Sequence, residues 1–69
     1  MTAKQAAAKT RAAIKAAGVN PKGMVRIVKS DYTTEVEVDL LGIYGECRLD
    51  IESAINGIGY SDLFSWNVN

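Results

Sequence analysis

Met24-Val25-Arg26-Ile27-Val28-Lys29, Ser30-Asp31-Tyr32-Thr33 and Thr34-Glu35-Val36-Glu37-Val38-Asp39-Leu40 form the continuous stretch whose reading decides the fold. The two outer segments alternate apolar with polar residues and are rich in Val and Ile, as strands with one face buried and one face in water must be. The four residues between them are of turn-forming type. If Lys29 opposes Thr34, Ile27 meets Val36 and Val25 meets Val38 on one face, while Arg26 meets Glu37 on the other. Burial and charge are satisfied by the same register. A slip of one residue would turn the whole apolar set toward water, so the stretch predicts an antiparallel hairpin in that register.

Before the hairpin, Thr2 and Gln5 stand at the spacing of a capping box, and the Ala, Lys, Gln and Arg that follow are strong helix formers. A helix over about Ala3 to Ala17 is predicted, stopped by Gly18 and by Pro21. Ala3, Ala7, Thr10, Ile14 and Ala17 share one stripe at 100° per residue, and Lys4, Arg11 and Lys15 share another. Ile14 is the only large apolar residue on the packing stripe, so the helix must lie close to its support.

After the hairpin, Gly42 and Gly45 punctuate the chain, and Glu46 to Leu49 is read as a short third strand. Helical spacing returns at Ile51, Ala54, Ile55 and Ile58, with Asp50 placed to cap and Gly57 and Gly59 placed to end the helix. In the last ten residues Phe64, Trp66 and Val68 alternate, which suggests an edge strand or an extended tail docked on the core. The chain thus reads as one α+β domain over residues 1–69: helix, hairpin, second short helix, C-terminal extension.

Zero net charge conceals a segregated sequence. Lys4, Lys9, Arg11, Lys15, Lys22, Arg26 and Lys29 precede every acid; Asp31, Glu35, Glu37, Asp39, Glu46, Asp50, Glu52 and Asp62 follow, with Arg48 the one cation among them. Opposed charge steers encounters and selects partners even when the total vanishes. A single cysteine, Cys47, excludes an internal disulfide and favours a reducing compartment, read here as the cytoplasm, while leaving a disulfide-linked dimer open. No apolar run reaches the roughly 20 residues that span a bilayer, so no membrane role is expected.

The chemistry of catalysis is thin. The chain has no histidine, and a lone cysteine without one lacks the usual nucleophile pair, so no enzymatic activity, no metal and no cofactor is expected. The glycines have neither dinucleotide-binding nor P-loop spacing. Cys47 is expected to be a small core residue. Two charged groups are the candidate binding residues. Glu35, Glu37 and Asp39 lie on one face of a strand, about 7 Å apart, a spacing that suits contact with a basic groove on another protein. Lys4, Arg11, Lys15 and Lys22 are the alternative, a cationic stripe for nucleic-acid phosphates, without a stacking aromatic residue nearby. Tyr32, Tyr44, Tyr60 and Trp66 are amphipathic residues of the kind enriched at interfaces.

The runs Thr10-Arg11-Ala12-Ala13-Ile14-Lys15-Ala16-Ala17-Gly18, Val25-Arg26-Ile27-Val28-Lys29-Ser30-Asp31-Tyr32 and Glu35-Val36-Glu37-Val38 resemble a small domain attached to large polyvalent proteins of phages and mobile elements. Those domains place a helix with an Ile-x-Lys centre before an Arg-bearing strand, a Ser-x-Tyr turn and an alternating second strand. Their usual aromatic residue and proline near the helix end are replaced here by Val19, Asn20 and Pro21. The resemblance implies a phage or plasmid origin, where stand-alone proteins of this size bind and block host machinery, anti-CRISPR proteins among them. The partner expected on that basis is a host protein or nucleoprotein complex met through Glu35, Glu37 and Asp39. Direct nucleic-acid contact is the alternative, and a homodimer is a third arrangement left open.

Overall fold

Along the chain the elements are α1 (Ala3–Ala16), β1 (Val25–Lys29), β2 (Thr34–Val38), α2 (Gly45–Ile58) and β3 (Ser65–Val68), in a computed structural model of residues 1–69. The fold is α+β. The sheet order is β1-β2-β3, with β1 antiparallel and β3 parallel to the central β2. The hairpin has the predicted register, Lys29 opposite Thr34, Ile27 opposite Val36, Arg26 opposite Glu37 and Val25 opposite Val38. Its turn is closed by the Ser30 N–H on the Thr33 carbonyl at 2.8 Å and by the Thr33 N–H on Ser30 Oγ at 3.1 Å.

α1 begins as its sequence requires. Thr2 accepts from the Gln5 N–H, and the Gln5 side chain accepts from the Thr2 N–H at 2.9 Å, so two of the helix's orphan donors are satisfied reciprocally. Its buried face consists of Ala3, Ala6, Ala7, Thr10 and Ile14. Such small side chains let the helix axis approach both the hairpin and α2, against which it packs. Thr10 is fully buried without a penalty, because its hydroxyl donates to the Ala6 carbonyl one turn back at 2.8 Å. Ile14 meets a core made of Val25, Val36 and Val38 from the sheet, Leu40 from the following turn, Ile51 and Ile55 from α2, and Phe64.

Three expectations for the second half change. Glu46 to Leu49 is not a strand: it is the first part of α2, which starts at Gly45. Asp50 therefore lies inside the helix rather than at its cap, and the N-cap residue Tyr44 makes no capping bond through its side chain. The reason is Arg48. Its guanidinium donates to the carbonyls of Leu40 (2.9 Å) and Ile43 (3.5 Å) and bonds Glu52 one turn on at 2.6 Å, anchoring the early helix to the turn before it. Gly57 is helical, and the chain leaves the helix at Gly59, whose φ of 78° suits a residue without a side chain. The C-terminal segment takes the first of its two expected forms, an edge strand beside β2, extended by the Asn69 N–H on the Val38 carbonyl and the Leu40 N–H on the Asn69 carbonyl, both 2.9 Å. No helix is long and apolar enough to cross a membrane.

Candidate functional site

Alternation along β2 sends Val36 and Val38 into the core and Glu35, Glu37 and Asp39 to the opposite face of the sheet, where no helix packs. The three predicted carboxylates do share one face. β2 is central, however, so they are flanked rather than raised: Val28 and Ser65 stand level with Glu35, and Arg26 and Asn67 with Glu37. Glu35 and Glu37 are half-buried and Asp39 is exposed.

Their chemical situations differ. Glu37 Oε1 accepts from Arg26 Nε and lies equally close, 2.8 Å, to the terminal Nη2; the Arg26 side chain remains 71% exposed and that of Glu37 23%. Asp39 accepts from the Leu41 N–H at 3.0 Å, bracing the turn that follows β2. Glu35 makes no ion pair. The face thus presents one neutralised carboxylate, one partly engaged and one free, set among the short polar side chains of Ser65 and Asn67.

The cationic candidates are less unified. Lys4, Lys15 and Lys22 are exposed. Arg11 is turned to structural use, its Nη2 donating to the Val25 carbonyl at 3.0 Å. That bond ties the basic stripe of α1 to β1, while α2 exposes Glu46 and Asp50. The two charge classes meet directly only at Arg26–Glu37 and Arg48–Glu52.

Cys47 corrects another expectation. It is exposed near the start of α2 rather than buried in the core, with its thiol facing the Ala17 carbonyl at 3.5 Å. Cys47 lies on the solvent-facing side of the helix that stands where a strand was expected. Tyr32, Tyr44 and Tyr60 are also exposed, each in a different connection of the fold. Trp66 is half-buried, donating from Nε1 to the Gly59 carbonyl at 2.9 Å and meeting Phe64 edge-on with centroids 5.3 Å apart. Arg48 was the residue missed by sequence reasoning; the available signal was its position as the lone cation among acids, four residues before Glu52. Comparison with known proteins gives no match to a family model, a curated protein or a solved structure.

Proposed function

We propose that this chain is a non-enzymatic protein of a phage or other mobile element that binds a host defence complex, in the manner of an anti-CRISPR inhibitor, and blocks it by occupying a protein surface. The observation that carries the reading is the helix-free face of the sheet, on which Glu35, Glu37 and Asp39 stand in line beside small polar residues. A helix-free sheet face that keeps Glu35 and Asp39 as unneutralised carboxylates beside the Arg26–Glu37 pair offers area and net negative charge to a basic surface. Its origin and target class rest on the resemblance of the first helix and hairpin to mobile-element domains.

The test is capture of the host complex by the tagged protein and by a variant in which Glu35, Glu37 and Asp39 are all Lys. Capture by the parent and its loss in the variant is the expected outcome, with the parent's circular dichroism spectrum retained although the melting point falls because the Arg26–Glu37 pair and the Asp39–Leu41 bond are gone. Equal capture by both refutes the assignment of this face. Nucleic-acid binding through Lys4, Arg11, Lys15 and Lys22 is the competing use. It would show as gel-shift affinity that falls steeply between two salt concentrations, by about tenfold or more for several phosphate contacts.

A further inference from the structure

The two edges of the sheet are built differently. On β1, the bonds of Met24 to Asp39 and of Ser30 to Thr33 fix the phase of the antiparallel ladder, so the N–H and C=O groups of Val25, Ile27 and Lys29 point away from β2. Arg11 takes the Val25 carbonyl, and Lys29 stands on the strand itself. Cations on an edge are a standard guard against pairing with another chain. The β3 edge has no such guard. The bonds of Asn69 to Val38 and Leu40 fix its phase, so Ser65, Asn67 and Asn69 pair inward and the N–H and C=O groups of Trp66 and Val68 face outward, with no loop, helix or side chain bonded to them. Ser65-Trp66-Asn67-Val68 carries no charge.

Beside that edge, on the helix side of the sheet, a groove of about 480 Å³ opens between β3 and the end of α2, lined by Ile55, Phe64, Trp66 and Val68. It continues past Val68 to the Arg48–Glu52 pair as a second recess of about 310 Å³. On the other side of the sheet, Ser65 and Asn67 are the short residues separating this edge from Glu35 and Glu37.

We propose that the β3 edge is a strand-addition site, and that its occupant is an extended segment of the partner protein in which apolar residues alternate with Lys or Arg. This deepens, and rests on, the reading of the chain as a protein-binding module. The unpaired backbone groups of Trp66 and Val68 supply the ladder; the groove receives the apolar side chains on one face of the added strand. The charge preference comes from the other face, where a long cationic side chain lies across Ser65 toward Glu35, the carboxylate with no ion pair of its own. An acidic strand would meet Glu35 and Glu37 instead and be repelled.

The probe is the synthetic peptide Lys-Val-Lys-Val-Lys-Val-Lys, titrated to about 1 mM into the full ¹⁵N-labelled chain, with amide shifts as readout. Shifts and slowed exchange concentrated at Trp66 and Val68 are expected. Of two versions of the peptide, N-methylated either on every Val or on every Lys, one loses affinity by about tenfold and the other keeps it, because only one edge of the added strand pairs with β3. Glu35→Gln weakens binding by about two- to fivefold, and the Glu-Val counterpart of the peptide does not bind. Val68→Pro removes an outward N–H that bonds nothing in the free chain, so it abolishes peptide binding while the circular dichroism spectrum is retained; if that variant unfolds, the N-methylated peptides alone decide. Absence of shifts at Trp66 and Val68, equal losses with both methylated peptides, equal binding of the Glu-Val peptide, or edge shifts that appear with protein concentration and no peptide each overturn the proposal. If the peptide fails while host-complex capture still depends on Glu35, Glu37 and Asp39, strand addition falls alone. If the peptide behaves as expected while capture ignores those acids, the acidic-face reading falls instead.

Discussion

Replacing Ile14 by Ala should remove a large share of this protein's stability, although the change deletes only three carbon atoms. Ile14 is wholly buried and is the one large side chain on the packing face of α1, the others being Ala3, Ala6, Ala7 and Thr10. Three buried carbons at about 0.8 kcal/mol each account for about 2.4 kcal/mol of transfer free energy. The close-packed core around Ile14 collapses only partly into the vacancy, so a cavity term of about 1.5 kcal/mol adds to it. The resulting loss of about 4 kcal/mol compares with a total stability of about 3–10 kcal/mol for a chain of 69 residues. Ile14→Val, which loses one methylene, should cost about 1 kcal/mol. In a urea titration followed by Trp66 fluorescence, a slope of about 1 kcal/mol/M converts that into a midpoint lower by about 1 M. Leu49→Ala is the control, since Leu49 is 64% exposed and its loss should fall within about 0.5 kcal/mol. An Ile14→Ala midpoint equal to that of the parent, or a Leu49→Ala effect as large as that of Ile14→Ala, would refute the claim that Ile14 is the main apolar anchor of α1.

Opposite signs are expected at two glycines near the end of α2. Gly59→Ala should destabilise by about 1–3 kcal/mol because φ 78° with ψ −166° is glycine territory, whereas Gly57→Ala, in the helix with open space around a new Cβ, should stabilise by about 0.5–1 kcal/mol; thermal melts of both read the signs directly. A double-mutant cycle on Arg26 and Glu37 should return a coupling of only about 0.2–1 kcal/mol, since the arginine is mostly in water, and a value several times larger would mean that the pair is shielded. Cys47 should be labelled by a thiol-specific disulfide reagent in the folded protein at a rate independent of urea below the transition; labelling that begins only on unfolding would show it to be enclosed.

The hairpin was legible because its determinants are close in sequence. Alternation names the buried face, the Ser30–Thr33 turn sets the phase, and Arg26 opposite Glu37 agrees with both. The α1 capping box was legible for the same reason, its partners being three residues apart. The start of α2 was not, because two glycines resemble a loop, and what holds the early helix is a guanidinium reaching back from Arg48 to carbonyls at Leu40 and Ile43. Of the candidate site, the sharing of one face by Glu35, Glu37 and Asp39 followed from period two and the pairing of Arg26 with Glu37 from the register, but that Glu35 is left without an ion pair was decided by where the side chains point.

Local chemistry in the chain therefore determined α1, the hairpin with its register, and the cationic first half and acidic second half. Tertiary structure alone decided that β2 is central, that β3 runs parallel to it with Trp66 and Val68 facing outward, that Arg11 is held on Val25, and that Cys47 is exposed beside Ala17. The physical reason is separation along the chain. β3 meets β2 thirty residues away, as Val38 opposite Val68, and a parallel pair closed through a helix leaves no turn motif to announce it. A sequence pattern states which face of a strand is apolar; only the assembled sheet states which of its edges remains open.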